Sequence, residues 1–331
     1  MLVTINDIYQ ARANLAGVIN RTPLENSTTI STLTGNDVYL KTENLQKTGS
    51  FKIRGAYNKI ANLPEEERKK GVVAFSAGNH GAGTAYAAQK LGIKSTVVMP
   101  ENPVLSKKNA ILEYGAEVIE HGTTSIAMFE KAFELHQQEG RVMIHPFDDP
   151  YIIAGQGTIG LEILEDLPDA EVVIIPVSGG GLISGLAAAL KEVKPTIKVI
   201  GVNTEGATAM YTSLQHGQPT EVSEVNTIAD GLMAKKPGDL TFAHTKKYVD
   251  DLVLVSEADI ANSVAFMAER AKLVVEPSGA AATAALLSGR VNIKDKKTVV
   301  MVSGGNVSFE LYHKLIREYT ERNAAKQEVA R

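Results

Sequence analysis

Lys52 is the side chain of this 331-residue sequence best placed to act as a nucleophile. It follows Val38-Tyr39-Leu40-Lys41, which reads as a short strand, and a polar turn at Thr48-Gly49, and it stands in the first turn of a helix behind a Ser50 cap. A lysine at the positive end of a helix dipole is disfavoured in its charged form, which lowers its amine pKa. An amine partly neutral near pH 7 is a nucleophile. The plain structural alternative is a solvated lysine at a helix end. Four loops carry residue types suited to a ligand. Ser76-Ala77-Gly78-Asn79-His80-Gly81 lies between an apolar strand ending at Phe75 and a helix running to Leu91, and the free N–H groups at that helix start suit a carboxylate or a phosphate. A glycine-eased turn with a capping asparagine is the alternative. Ser178-Gly179-Gly180-Gly181-Leu182 lies between the strand at 172–177 and a helix through Leu190. Successive glycines there let N–H groups converge on a phosphate, or merely permit close packing. Ser303-Gly304-Gly305-Asn306 and Ala229-Asp230-Gly231 read, from their residues alone, as turns.

Strands and helices alternate almost throughout. An amphipathic helix is expected after Asn6, with Ile8, Ala11, Leu15 and Val18 on one face, ending at Arg21-Thr22-Pro23. After the lysine helix and the charged stretch 64–70 come strands at 72–75, 96–99, 117–119 and 142–144, and a second set at 172–177, 199–203, 252–255 and 299–302. Continuous apolar strands separated by helices point to parallel sheets covered on both faces. The pattern predicts an α/β protein of two lobes, a smaller one over 70–146 inserted in a larger one formed by 1–69 and 147–331. A ligand would lie between the lobes at the carboxyl ends of strands. The polar tail after Tyr319 is expected to fray.

Composition removes several functions. A net charge of −4 and a pI near 6.0 give no footprint for nucleic acid or an anionic membrane. There is no cysteine, hence no disulfide, thiolate chemistry or cysteine metal site, which fits a cytoplasmic protein. No stretch approaches the ~18 apolar residues of a membrane span. His121, His136, His216 and His313 are scattered singly and offer no metal reading; His80 and His145 are the two in loops that could face the cleft. Gly155-Gln156-Gly157-Thr158-Ile159-Gly160 matches a dinucleotide fingerprint letter for letter, but only the short Tyr151-Ile152-Ile153 precedes it, so it reads as a helix start in the core. The glycine loop at 179 lacks the spacing and the acid of that fingerprint, and no Gly-Lys-Ser/Thr follows it.

The block Asn44-Leu45-Gln46-x-Thr48-Gly49-Ser50-Phe51-Lys52-x-Arg54-Gly55-Ala56 resembles the pyridoxal-phosphate lysine segment of the fold-type II, tryptophan-synthase-beta-like enzymes, in particular the serine/threonine dehydratases. The resemblance extends from the first helix to Asn306 and includes all four loops in order. It implies that Lys52 is the catalytic lysine and carries pyridoxal 5'-phosphate through its amine, with Phe51 beside the ring. It further implies that Ser76, Ala77, Gly78, Asn79 and His80 hold the substrate carboxylate and that Asn79 hydrogen-bonds the ring hydroxyl. Gly179, Gly180, Gly181 and Leu182 would bind the phosphate, Gly231 would lie against one ring face, and Ser303 would face the pyridine nitrogen. A neutral hydroxyl there does not force a proton onto the ring, which favours β-elimination over transamination.

The chain resembles in particular the short, catabolic-type L-threonine dehydratases, through 155–166, 252–257 and 285–289. The implied reaction is deamination of L-threonine, and of L-serine, to 2-oxobutanoate or pyruvate and ammonia, in amino-acid catabolism or isoleucine biosynthesis. The implied assembly is a homodimer or homotetramer, with no C-terminal regulatory domain expected. Serine racemases resemble the chain too, but carry a second serine where Ala77 stands and use it as the acid and base on the far face. Their divalent-cation acids are replaced here by Asn203, Thr208 and Ala209, a poor set for calcium or magnesium. Glu276-Pro277-Ser278-Gly279 departs from the dehydratase pattern and leaves threonine-versus-serine preference open. A racemase, a 3-hydroxyaspartate dehydratase and a non-catalytic binding protein on the same fold are the alternatives.

Overall fold

The structure, a computed structural model, describes residues 1–329. Two sheets form the frame. The first contains β1 (Leu24–Asn26), β2 (Asp37–Thr42), β7 (Val172–Pro176), β8 (Lys198–Thr204), β9 (Asp251–Val255) and β10 (Lys297–Val302), in the order β1-β2-β10-β7-β8-β9. The second contains β3 (Val72–Phe75), β4 (Ser95–Met99), β5 (Glu117–Glu120) and β6 (Val142–Met143), in the order β5-β4-β3-β6. Every pairing is parallel except β1 with β2. This is the α/β architecture with two parallel sheets that the apolar runs imply.

The runs are continuous because both faces of each sheet are covered. In the first sheet Val173, Ile175, Val199, Val299 and Met301 pack on one side against α1 (Ile5–Leu15), α8 (Pro150–Asp166), α9 (Gly181–Val193), α10 (Ala209–His216) and α11 (Asp239–Tyr248). Their neighbours Val172, Ile174, Ile200, Val300 and Val302 pack on the other against α2 (Thr28–Thr34), α12 (Glu257–Phe266), α13 (Pro277–Leu287) and α14 (Phe309–Val329). In the second sheet Val73 and Val98 meet α7 (Ser125–Glu139). Val97 and Met99 meet α5 (Asn79–Lys90) and α6 (Leu105–Glu113) on the opposite face.

The lysine helix α3 (Lys52–Ala61) joins the two halves, and the short charged α4 (Glu65–Lys70) follows it. Ile53, Ala56 and Ile60 form one apolar cluster with Val72, Ala87 and Ala88 on the side of the four-stranded sheet and Ile152 of α8 on the other. The close crossings of α8 with α3 and with α9 explain the fingerprint-like glycines. A Cβ on Gly155 would lie 2.6 Å from the Arg54 carbonyl oxygen, and one on Gly160 2.8 Å from Ala189 of α9. These glycines sit in the interior of α8 rather than at its start, which is Pro150 capped by Asp149.

Three further expectations are corrected. Ser50 does not cap α3: Phe51 occupies the cap position without a side-chain bond, while Ser50 is extended (φ −163°) and bridges to Gly304. The first helix starts at Ile5, closed by a Thr4/Asp7 capping box, and ends at Leu15 rather than near Pro23. The tail beyond Tyr319 continues as helix α14 to Val329; residues 330 and 331 lie outside the described residues.

Candidate active site

Four strands of the two sheets, β2, β3, β7 and β10, lead at their carboxyl ends into four of the five segments singled out in the sequence: the lysine segment and the loops at 76, 178 and 303. The lysine segment is locked to the loop after β10. Phe51 N donates to Ser303 O at 3.2 Å, Gly305 N to Gly49 O at 2.9 Å, and Asn306 Nδ2 to Thr48 O at 2.7 Å. The turn needed to reach this contact places Thr48 and Gly49 at φ 65° and 71°. Chain entry into α3 is thus set by tertiary contacts, which replace the missing cap.

Lys52 Nζ donates to Pro146 O at 2.9 Å and lies 5.4 Å from the centre of the Phe51 ring. The side chain keeps some accessible surface, as a group facing a cleft does. Burial of the amine nevertheless dominates its titration and lowers it to about 8, against a smaller upward pull from Glu276. Burial is therefore the main cause of the lowered amine that the helix position suggested.

In the loop after β3, Ser76 Oγ accepts from Gly78 N at 3.0 Å and Ala77 is exposed. Among the described residues the N–H groups of Ala77, Asn79, His80 and Gly81 have no acceptor, so this helix start can receive an anion. The His80 imidazole is not part of that cradle. It is buried, with Nε2 at 2.7 Å from Ile144 O, and burial together with the nearby Lys52 lowers it to about 3, so Nε2–H donates and the ring is neutral. His145 is likewise inward: Nδ1 accepts from Asp148 N at 2.8 Å, and burial lowers its pKa.

The glycine loop after β7 offers a second cradle. Among the described residues Gly179, Gly180, Gly181 and Leu182 have no acceptor for their N–H groups. Gly180 sits at φ 101°, where an L side chain is strained, and a Cβ there would lie 2.6 Å from Met210 Cε and 2.8 Å from Thr241 Cβ. Thr241 Oγ1 donates to Gly179 O at 2.6 Å and holds the loop from outside. Ser303 is buried at the end of β10, and Gly231 N donates to Ser278 Oγ at 2.8 Å.

Glu276 is the residue whose role the sequence did not disclose. It is 2% exposed at the start of α13, and its Oε1 accepts from Asn79 Nδ2 at 2.7 Å. Burial and the neighbouring Asp230 raise it to about 7, against the pull of Lys107, Asn79 and the Asn306 N–H. The available signal was an acid immediately before Pro-Ser-Gly and an apolar helix, a residue type rarely buried without a partner. Lys107 of α6 forms an ion pair with Asp230, linking the first loop's half of the molecule to the segment at 229–231.

Comparison with known proteins places the chain in a family. The family described as pyridoxal-phosphate dependent enzyme matches residues 15–305. The chain is 51% identical to an L-threonine ammonia-lyase of Thermotoga maritima, over 96% of this chain and 79% of that protein. It is 48% identical to the catabolic L-threonine dehydratase TdcB of Escherichia coli, over 92% of this chain and 93% of that protein. Among solved structures it is similar to maize serine racemase, with a TM-score of 0.91 at 37% identity, covering 98% of this chain and 100% of that one.

Proposed function

The chain belongs to the pyridoxal-phosphate-dependent enzymes, and from that premise we propose that it is a lyase which deaminates L-threonine by β-elimination, giving 2-oxobutanoate and ammonia. The observation that carries this reading is the Lys52 amine, lowered to about 8 and given only a carbonyl oxygen as partner. The residues present fit the cofactor. An amine that is partly neutral at pH 7 suits an aldehyde, and the unpartnered N–H groups of Gly179, Gly180, Gly181 and Leu182 suit a phosphate. Phe51, Asn79, Gly231 and Ser303 would complete the holding set, with Ser303 offering a neutral hydroxyl to the ring nitrogen. When bound, the cofactor supplies an electron sink for the negative charge developed at the substrate α-carbon.

The chain's own residues do the rest. The free N–H groups of Ala77, Asn79 and His80 orient the substrate through its carboxylate, so that the reacting bonds are fixed before chemistry begins. The neutral Lys52 amine takes the α-proton. The same amine, now charged, holds a proton that can accompany the hydroxyl leaving Cβ as water. Hydrolysis of the released product then yields the 2-oxo acid and ammonia. L-Serine, lacking one methyl group, would give pyruvate by the same steps.

Serine racemase is the second reading, favoured by the similarity to the maize structure. Racemisation needs a proton donor on each face of the α-carbon, and Ala77 has none to give. Two lobes, 70–146 and the remainder, would close on the substrate. Among the described residues no helix is long and apolar enough to cross a membrane, which supports a soluble enzyme; we place it in the cytoplasm as a homodimer or homotetramer.

The test is a visible spectrum of the purified protein before and after addition of L-threonine, with 2-oxo acid assayed in parallel. A cofactor band that changes as 2-oxobutanoate accumulates supports the proposal. A band indifferent to threonine, with D-serine formed from L-serine on chiral analysis, would replace it by the racemase reading. Absence of any band after the cofactor is supplied would remove both.

A further inference from the structure

A buried carboxylate with an unused oxygen needs a reason, because desolvation without a compensating bond is costly. Glu276 Oε2 has no hydrogen-bond partner among the described residues. Oε1 supplies the reason: it accepts from Asn79 Nδ2 at 2.7 Å, while Asn79 Oδ1 accepts from Asn306 Nδ2 at 2.8 Å. Asn306 Nδ2 also donates to Thr48 O at 2.7 Å in the lysine segment. An amide with an acceptor at one end and a donor at the other has one stable orientation. Turning it over would set oxygen against carboxylate and NH2 against NH2. The second hydrogen on Asn79 Nδ2 is therefore aimed in one direction and left free for a ligand.

The surroundings are shaped to keep this chain of bonds. Glu276 N donates to Gly304 O at 3.2 Å, and a Cβ on Gly304 would collide with Glu276 Oε1. The loop after β10 thus wraps the carboxyl group and carries Asn306 to the far side of Asn79. We propose that Glu276 is a positioning residue for the cofactor: through Asn79 it directs a single amide N–H at the ring oxygen of the bound group. The inference rests on the reading of Asn79 as the ring-oxygen donor.

The charge on Glu276 grades the effect, since an ionised acceptor holds and polarises the Asn79 amide more strongly than a neutral one. The charged groups that act on it are Lys52 of α3, Lys107 of α6 and Asp230. Raised to about 7, Glu276 changes charge within the working range of a neutral-pH enzyme. The proton it takes up has the unpartnered Oε2 to sit on, leaving Oε1 bonded to Asn79.

The experiment compares wild-type holoenzyme with Glu276→Gln, Glu276→Ala, Asn79→Ala and the double alanine variant, measuring cofactor dissociation constant and visible spectrum against pH. Glu276→Ala should weaken cofactor binding about ten-fold, the scale of one charge-assisted hydrogen bond lost. Glu276→Gln, which keeps an acceptor, should hold the cofactor nearly as wild type but lose the spectral step near pH 7. The double variant should bind no worse than Asn79→Ala, since Glu276 acts through that residue. If Asn79→Ala alters affinity and spectrum while both Glu276 variants behave as wild type, the proposal is overturned and the reading of Asn79 stands. If Asn79→Ala itself changes nothing, the reading of Asn79 falls and the proposal with it. Should Glu276→Ala fail to fold, the pH dependence of the Glu276→Gln spectrum decides.

Discussion

Two groups of buried charges meet on helix α3, and they are completed to different degrees. Arg54, wholly buried, donates to both oxygens of Glu43 at 2.9 and 2.7 Å and to both oxygens of Glu162 at 2.6 and 2.9 Å. Lys41, also buried, adds bonds of 2.7 Å to Glu162 and to Thr22 O. Burial pulls Arg54 down, but Glu43 and Glu162 more than offset it and leave it above its ordinary value. Burial likewise raises Glu162, and Arg54 and Lys41 outweigh it, holding the carboxyl below its ordinary value. Two residues before Arg54, Lys52 has a carbonyl for its partner and is lowered to about 8, while Glu276 is raised to about 7. Helix α3 therefore takes part in a saturated cluster that ties β2 to α8 and, at Lys52, in an unsaturated one shared with Glu276 at the start of α13. The lowered amine of Lys52 reflects the lack of partners that the fold supplies freely two residues away.

The sharpest way to break this contrast is to remove one cation from each cluster. Arg54→Met leaves Glu43 and Glu162 buried with Lys41 as their remaining cation, and should cost about 3–5 kcal/mol in urea unfolding. A loss below about 1 kcal/mol would mean that the saturated cluster contributes little to the fold. Lys52→Met should act in the opposite direction. It removes an ill-compensated amine, so the cofactor-free protein should gain on the order of 1–3 kcal/mol after allowance for screening by the cleft. Threonine turnover should meanwhile fall by ~10²–10⁴ or more. A Lys52→Met protein that turned over threonine at the wild-type rate would end the account of Lys52 as the base.

The two clusters should also respond to pH with opposite sign. Glu276 has its pKa raised from 4.5 to about 7 by folding, so its contribution to stability is full below pH 4.5 and is lost as pH rises through 7. Glu162 is lowered by folding, so its contribution is present above its ordinary value of 4.5 and is lost as pH falls through the lowered one. Measured on cofactor-free protein, wild type should lose on the order of 1–3 kcal/mol relative to Glu276→Gln between pH 4.5 and 7.5. A flat difference would show Glu276 to be as well partnered as Glu162.

A smaller effect separates the glycines of the site from those outside it. Gly180 has φ 101° and no room for a Cβ, whereas Gly17 has φ 74° with nothing within 4 Å of that position. Gly17→Ala should cost only backbone strain, about 1 kcal/mol. Gly180→Ala should cost about 2–3 kcal/mol by thermal or urea unfolding and also weaken cofactor binding. Equal losses at the two positions would mean that the loop yields to the added methyl.

How much of this was legible in the sequence follows from how local each cause is. Among the described residues periodicity located every strand but the short antiparallel β1, because a parallel strand covered on both faces must be apolar at successive positions, as at 172–176. The lysine and glycine segments were legible as residue patterns, and the fold assembles them at strand ends. The Ser50 cap was misread because the start of α3 is set by Gly304 and Ser303, more than 250 residues away. His80 pointed into the core rather than the cleft for a similar reason, since its acceptor is Ile144 of a different strand region. Glu276 was hidden because its partners, Asn79 and Asn306, lie 197 residues before it and in the next strand's loop. Glu43 and Arg54 are only 11 residues apart, but the pairing of Arg54 with Glu162 and of Glu276 with Asn79 is a tertiary fact that no short window of sequence contains.

The finest test of the contrast takes a neutral hydroxyl from the saturated cluster. Thr158 Oγ1 accepts from Arg54 Nη1 at 3.1 Å and donates to Gly155 O at 2.6 Å. Thr158→Ala leaves one guanidinium N–H without an acceptor, yet every charge in the cluster keeps its counter-charge. The cost should therefore be that of a neutral bond, about 1–2 kcal/mol, with cofactor affinity unchanged. Asn79→Ala takes a polar group from the unsaturated cluster, and beyond the cost of leaving Glu276 Oε1 without its donor, its effect should fall on cofactor affinity. If Thr158→Ala lowered cofactor affinity as much as Asn79→Ala does, the two clusters would be one coupled unit. Saturation at Arg54 would then be part of the chemistry at Lys52, transmitted along the first turn of α3.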